Sequence, residues 1–242
     1  DLDGKQDVFI SNGIPKRPND LDFIKFVSSE QIQQKMDNTK LVDQKALDLM
    51  PSGNVHNYVF KGSEELQFED MSEKWITKDT LISGATAMAD LDGDGDLDLV
   101  TNNLNQPASL YINKTNDKGN YLKLKFRFLK KNTLGIGTKV YSYTNGDLQF
   151  KELFPTRGFQ ASSEPMIHFG YRNAEQIDSI KIIWPNRTYQ VLQNVPVNQT
   201  ITVKPENTKP FDYNTLRKAK KPRFTLVENN LGLDFEHIED NY

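Results

Sequence analysis

The 242-residue chain contains no cysteine, which excludes disulfide bonds and thiolate metal sites. Any bound metal must therefore use oxygen or imidazole ligands, and the chain has just three histidines. No apolar run approaches the length needed to cross a membrane. The 30 basic and 33 acidic residues nearly balance, leaving a net charge of -3 and no basic excess that would indicate nucleic-acid binding.

The most distinctive stretch is acidic, with aspartates at relative positions 1, 3, 5, 7 and 9 and a glycine at position 6. These residues are Asp90, Asp92, Asp94, Asp96, Asp98 and Gly95. Hard cations such as Ca²⁺ take about six to eight oxygen ligands, and this spacing supplies several of them from one loop. We predict a calcium site in which four carboxylates converge and Asp96 binds through its backbone carbonyl. An EF-hand is excluded because position 12 is Thr101 rather than glutamate; a solvated acidic turn is the alternative.

A shorter copy of this loop opens the chain. When its glycine, Gly4, is aligned with Gly95, the copy offers a weaker set of ligands. These are Asp1, Asp3, Asp7 and the backbone carbonyl of Lys5. The first ligand position would precede Asp1, so we expect the chain to be part of a longer protein. Both copies lead into a strand pattern and a polar turn, which indicates an internal repeat.

Most of the remaining sequence predicts short β-strands. Residues 121–128 alternate strictly, and Asn145-Gly146 between two alternating runs is a strong hairpin signal. The predicted strands are 8–10, 58–61, 66–70, 97–100, 110–113, 121–128, 139–143, 148–153, 166–169, 177–184, 188–192 and 199–203. Residues 28–50 contain neither glycine nor proline and predict one or two surface helices. The chain should therefore be all-β with a short helical insertion, and residues 118–205 should form a small β-sandwich.

The acidic loop and its following strand resemble the calcium loop of FG-GAP/VCBS repeats, the blades of extracellular β-propellers. Residues 9–14 and 19–23 are similar to a segment of large surface proteins of Bacteroidetes. Phe60 to Asp70 resembles a blade edge, although Lys61-Gly62-Ser63 departs from the usual asparagine-rich turn. The resemblance implies propeller blades over residues 1–117, with Ca²⁺ in a structural role.

Residues 118–205 resemble the ASPIC/UnbV domain, which occurs beside such propellers. The motifs that carry the resemblance are Gly135-Ile136-Gly137, Arg157 to Ser163, His168-Phe169-Gly170, Asp178-Ser179-Ile180, Trp184-Pro185-Asn186 and Asn198-Gln199-Thr200. Tyr171 and Asn186 depart from the family pattern at turn positions. Residues 206–242 read as a basic, proline-bearing linker followed by the start of a second propeller.

The sequence offers no recognisable catalytic set, so we expect no enzyme activity. His56, His168 and His237 lie outside nucleophile-elbow and zinc-helix patterns. Arg157 could clamp a carboxylate, but a bond to loop carbonyls is the alternative.

The resemblance implies a non-catalytic, calcium-stabilised surface scaffold or binding subunit in a bacterium. We expect it to be extracellular or on the outer membrane, in an uptake or export complex. Its partner would be a protein or a glycan, with no nucleic acid, and membrane attachment would use a lipid anchor outside this chain. One alternative is an accessory carbohydrate-binding module of a larger secreted enzyme, recognising sugars through exposed aromatic rings. Another is an adhesin whose calcium loop bridges to an acidic ligand.

Overall fold

The computed structural model describes residues 1–28, 48, 50–53, 55–77, 80–115, 119–216, 224, 232 and 238. All twelve predicted strands are present in it, with small shifts at their ends. The strands are β1 (Val8–Ile10), β2 (Tyr58–Gly62), β3 (Phe68–Asp70), β4 (Ser83–Ala89), β5 (Asp98–Asn103), β6 (Ser109–Tyr111), β7 (Tyr121–Phe126), β8 (Lys139–Thr144), β9 (Asp147–Glu152), β10 (Met166–Gly170), β11 (Gln176–Ile183), β12 (Thr188–Pro196), β13 (Gln199–Val203) and β14 (Lys209–Pro210). Of these, β4 and β14 were not predicted.

The described helices are short. They are α1 (Leu21–Val27), α2 (Ser72–Trp75) and the 3-10 turns Glu64–Leu66 and Tyr213–Leu216. Asp20 accepts hydrogen bonds from the backbone N–H groups of Asp22 and Phe23, which caps the start of α1. Among the described residues, no helix is long and apolar enough to span a membrane. The helices predicted over residues 28–50 lie almost entirely outside the described part of the chain.

The first half of the chain forms two three-stranded antiparallel sheets, β1-β2-β3 and β4-β5-β6. A hydrogen-bond network of buried polar side chains joins the two sheets. The backbone N–H of Asn12 donates to Asn57, Asn57 donates to the Ser83 hydroxyl, and Ser83 donates to Asn103, over distances of 2.8–3.0 Å. Each buried group finds a partner, which makes such a network rigid. The described residues form no closed propeller.

The second half contains two sheets that share one hydrophobic core. One sheet has the order β10-β7-β13 and the other β14-β12-β11-β8-β9. The core contains Leu122 and Leu124 from the first sheet and Ile180 and Ile182 from the second, with Trp184 fully buried among them. This arrangement agrees with the predicted sandwich. The parallel pairing of β13 with β7 was not predicted.

The chain divides into two compact units, Asp1–Pro210 and Phe211–Tyr242. In the second unit the rings of Phe211 and Tyr213 meet edge to face, with 5.0 Å between their centroids. Most residues of the predicted second propeller lie outside the described part of the chain.

Candidate metal centre

The long acidic loop connects β4 to β5 and brings three of its aspartates together. Asp90, Asp92 and Asp98 each offer one carboxylate oxygen, and these oxygens all lie within 4.8 Å of one another. Asp94, which the sequence placed in the same ligand set, lies outside this group. Three carboxylates at this separation repel each other unless a positive charge lies among them.

The loop is shaped by its own carboxylates. Asp90 accepts hydrogen bonds from the backbone N–H groups of Gly93 (2.8 Å) and Gly95 (3.1 Å). Asp92 accepts one from Asp94, and Asp94 accepts one from Asp96. Gly93 and Gly95 adopt φ values of 81° and 107°, which residues with a side chain rarely adopt.

Two buried aspartates anchor the loop to the strand that follows it and to the end of β6. The two oxygens of Asp98 accept from the backbone N–H groups of Leu91 (2.7 Å) and Asn113 (2.8 Å). Asp96 accepts from the backbone N–H of Thr115 at 2.9 Å. The sequence assigned Asp96 a role through its backbone carbonyl alone and missed this use of its carboxylate.

The other side of the loop rests on the β10-β7-β13 sheet. Lys123 of β7 forms an ion pair with Asp90, and the two side chains are 9% and 5% exposed. Its ammonium also lies 4.8 Å from the centre of the Tyr121 ring, a cation–π contact. Sequence reasoning missed Lys123 and Tyr121, because an alternating strand predicts its lysines in solvent.

His168 of β10 completes this contact. Its Nε2–H donates to the carbonyl oxygen of Gly95 at 2.7 Å, and its ring stacks on Tyr121 with centroids 6.1 Å apart. Burial lowers the pKa of His168 to about 4, so the ring is neutral at pH 7. These contacts tie the acidic loop to β10.

The shorter loop at the start of the chain has a lysine among its carboxylates. The Lys61 ammonium contacts the carboxylates of Asp1 and Asp3, the latter at 3.3 Å. Asp7 accepts from the backbone N–H of Gly62 at 2.9 Å, and Lys5 pairs with Glu64. In the described part of the chain, Asp90, Asp92 and Asp98 are the one convergent acidic group; metal binding by the shorter loop stays a prediction.

The donor set of the long loop suits a hard cation. Carboxylate oxygens are the preferred ligands of Ca²⁺, which they coordinate at about 2.3–2.6 Å in a flexible geometry. Asp90, Asp92 and Asp98 would hold the ion. Asp90 is shared with Lys123, so the two positive charges would compete for the same carboxylate.

The other predicted residues lie apart from this centre. Arg157 lies at the start of a hairpin turn whose backbone closes onto Ala161 at 3.2 Å, and Phe159 at its tip is 76% exposed. Tyr171 is buried and its hydroxyl bonds to Ser142. His56 donates to the carbonyl of Asn57. His237 lies outside the described residues.

Comparison with known proteins finds a family match within the second half of the chain. Residues 128–210 match the family model described as ASPIC and UnbV, which confirms the resemblance predicted for this stretch. The chain is also similar to Cartilage acidic protein 1 of Xenopus tropicalis, with 31% identity over 104 residues. The alignment covers 41% of this chain and 16% of that relative, so the chain spans a small part of the relative's length.

Proposed function

We propose that the chain is a non-catalytic, calcium-stabilised scaffold or binding subunit at a bacterial cell surface. The observation that carries the proposal is the convergence of Asp90, Asp92 and Asp98 in a loop packed against the sheet of β7 and β10. Calcium supplies positive charge there, and its binding favours the folded loop over the unfolded chain. The ion would therefore fix the loop that joins β4 to β5.

The role proposed for the ion is structural. Both oxygens of Asp98 are engaged by backbone N–H groups, and Asp90 is nearly buried. Carboxylates held this way fix a loop and are poorly placed to exchange protons with a substrate. The two described histidines, His56 and His168, both donate to backbone carbonyls, so each ring makes a structural contact.

The setting of this subunit is proposed from resemblance. The two three-stranded sheets, each with an aspartate loop before one strand, are proposed to be FG-GAP/VCBS blades of a larger propeller. A position on the outer membrane or outside the cell, with a lipid anchor beyond this chain and membership of an uptake or export complex, is part of the same proposal.

Calcium titration of the 242-residue chain tests the metal centre. Asp92 is exposed and accepts just one long hydrogen bond, from Asp94 at 3.3 Å, so Asp92→Asn removes a ligand charge with little structural cost. We expect calorimetry to show binding that Asp92→Asn weakens about tenfold or more, a loss of at least about 1.4 kcal/mol. The matched control is Asp147→Asn on the β8–β9 hairpin, which should bind like the wild type. Equal affinity in all three proteins, or no binding at millimolar calcium, would contradict the proposal.

Affinity capture from native membranes tests the partner. Capture of one defined protein by the intact chain, lost when calcium is chelated, supports the scaffold. The second candidate function, a carbohydrate-binding module, is favoured by the exposed rings of Tyr143 and Phe159. Binding on a glycan array that Phe159→Ala abolishes, with no protein captured, would favour that function instead.

A further inference from the structure

Lys123 is a buried lysine on the outer face of a strand. Its neighbours Leu122 and Leu124 face the sandwich core and are fully buried. Lys123 lies on the opposite face of the strand, which would face solvent if the two sheets stood alone. In the structure, however, just 7% of Lys123 is exposed. Lys125, two residues further along and on the same face, is 49% exposed in its side chain and pairs with the surface residue Glu164 at 2.8 Å. The acidic loop covers one lysine and leaves the other in solvent.

The covered lysine faces the metal centre directly. Its ammonium pairs with Asp90, one of the three converging aspartates. A buried carboxylate that loses a positively charged partner is strongly unfavourable. Lys123 therefore supplies a counter-charge that holds the Asp90 side chain in place.

The shorter loop also lies against a lysine from a neighbouring strand. Lys61 of β2 contacts the carboxylates of Asp1 and Asp3. In both copies, a lysine from outside the loop lies against its aspartates. When Gly4 is aligned with Gly95, Asp1 and Asp3 correspond to Asp92 and Asp94, so the two lysines contact different positions of their loops.

We propose that Lys123 is a positioning residue that holds Asp90 for calcium and at the same time lowers the calcium affinity of the loop. The proposal rests on the calcium site proposed above. An ammonium group beside a divalent ion repels it, and both compete for Asp90. Calcium binding would then exchange one cation for another at Asp90 and loosen the tie between the loop and β7.

Removing the charge of Lys123 should therefore lower the stability of the calcium-free protein and raise its affinity for calcium. Lys123→Met keeps the length of the side chain and removes its charge. Without calcium, the variant should melt at a temperature lower by roughly 5 °C or more, because Asp90 loses its counter-charge. With calcium, it should bind the ion about tenfold more tightly, because the repulsion and the competition are gone. A lysine that merely supports the fold would give lower stability together with equal or weaker binding.

The test compares Lys123→Met with Lys125→Met, a matched control of the same residue type on the same strand face. Calorimetry gives the calcium dissociation constant. Melting curves recorded with chelator and with saturating calcium give the shift in melting temperature that calcium causes. We expect tighter binding and a larger calcium-induced shift for Lys123→Met alone. Unchanged or weaker binding by Lys123→Met overturns the proposal.

A second measurement uses the wild type alone and so remains available if Lys123→Met fails to fold. In the wild type, nitrogen NMR of the lysine ammonium groups should show the Lys123 signal shifting when calcium is added. A Lys123 signal that stays unchanged at saturating calcium overturns the proposal. If the wild type binds no calcium at all, the proposed function fails and this inference fails with it. If the wild type binds and Lys123→Met does not bind more tightly, this inference alone fails.

Discussion

The packing of the acidic loop against β7 predicts a large effect of a single methyl group at Gly95. A Cβ atom added there would lie 2.0 Å from Cε1 of Tyr121 and 2.4 Å from Cδ1, well inside contact distance. The Tyr121 ring cannot move without cost, because it stacks on His168 and carries the Lys123 ammonium on its face. Gly95→Ala should therefore displace the loop from the sheet.

Gly93→Ala is the matched control for this substitution. Gly93 lies in the same loop with φ of 81°, and a Cβ there would meet nothing within 4 Å. Both variants carry the cost of a left-handed backbone with a side chain, about 1–2 kcal/mol. Gly95→Ala adds an overpacking cost of about 1–3 kcal/mol. The difference between the two losses isolates the contact with Tyr121.

The measurement is urea unfolding of the 242-residue chain in the presence of a chelator, so that metal binding does not contribute. We expect a loss of about 2–5 kcal/mol for Gly95→Ala and about 1–2 kcal/mol for Gly93→Ala. In a double-mutant cycle, Tyr121→Ala removes the ring, so in that background Gly95→Ala should lose most of its additional destabilisation relative to Gly93→Ala. Equal losses for the two glycine variants would refute the account of how this loop packs.

Two further predictions concern the sandwich. Trp184→Ala should lower the free energy of unfolding by urea by about 3–5 kcal/mol, because the ring is fully buried, stacks on Phe128 and donates to Gln190. The comparison is Trp75→Ala, where the side chain is partly exposed and the expected loss is about 1 kcal/mol. A loss below about 1 kcal/mol for Trp184→Ala would contradict this packing. Burial lowers the pKa of Lys151, whose ammonium donates to the carbonyl of His168, to about 8. The unfolded chain keeps that proton up to about pH 10.4, so the free energy of unfolding should rise with pH from about 8 to 10.4. Lys151→Met should flatten that rise, and parallel pH profiles for the two proteins would contradict it.

Local patterns in the sequence predict the strands well. Strict alternation marks β7, and Asn145-Gly146 forms the turn between β8 and β9 with φ of 51° and 87°. These features depend on residues close together in the chain, so a linear pattern records them. The missed strand β4 is rich in alanine and glycine and carries little intrinsic strand preference.

The setting of the acidic loop could not be predicted in the same way. Spacing alone indicates that carboxylates of this loop converge, and the structure brings Asp90, Asp92 and Asp98 together. Spacing says nothing of Lys123 or His168, because these residues reach the loop through the pairing of β7 with β10. The burial of Lys123 depends on which surface the loop covers. That is decided by tertiary contacts between distant segments and leaves no periodic signal.

The most direct test of the central claim is a crystal structure of the chain grown with millimolar calcium. We expect an ion with oxygens of Asp90, Asp92 and Asp98 at about 2.3–2.6 Å, and the Lys123 ammonium moved away from Asp90. A structure at the same calcium concentration with no ion in this loop and Lys123 still paired to Asp90 would contradict it.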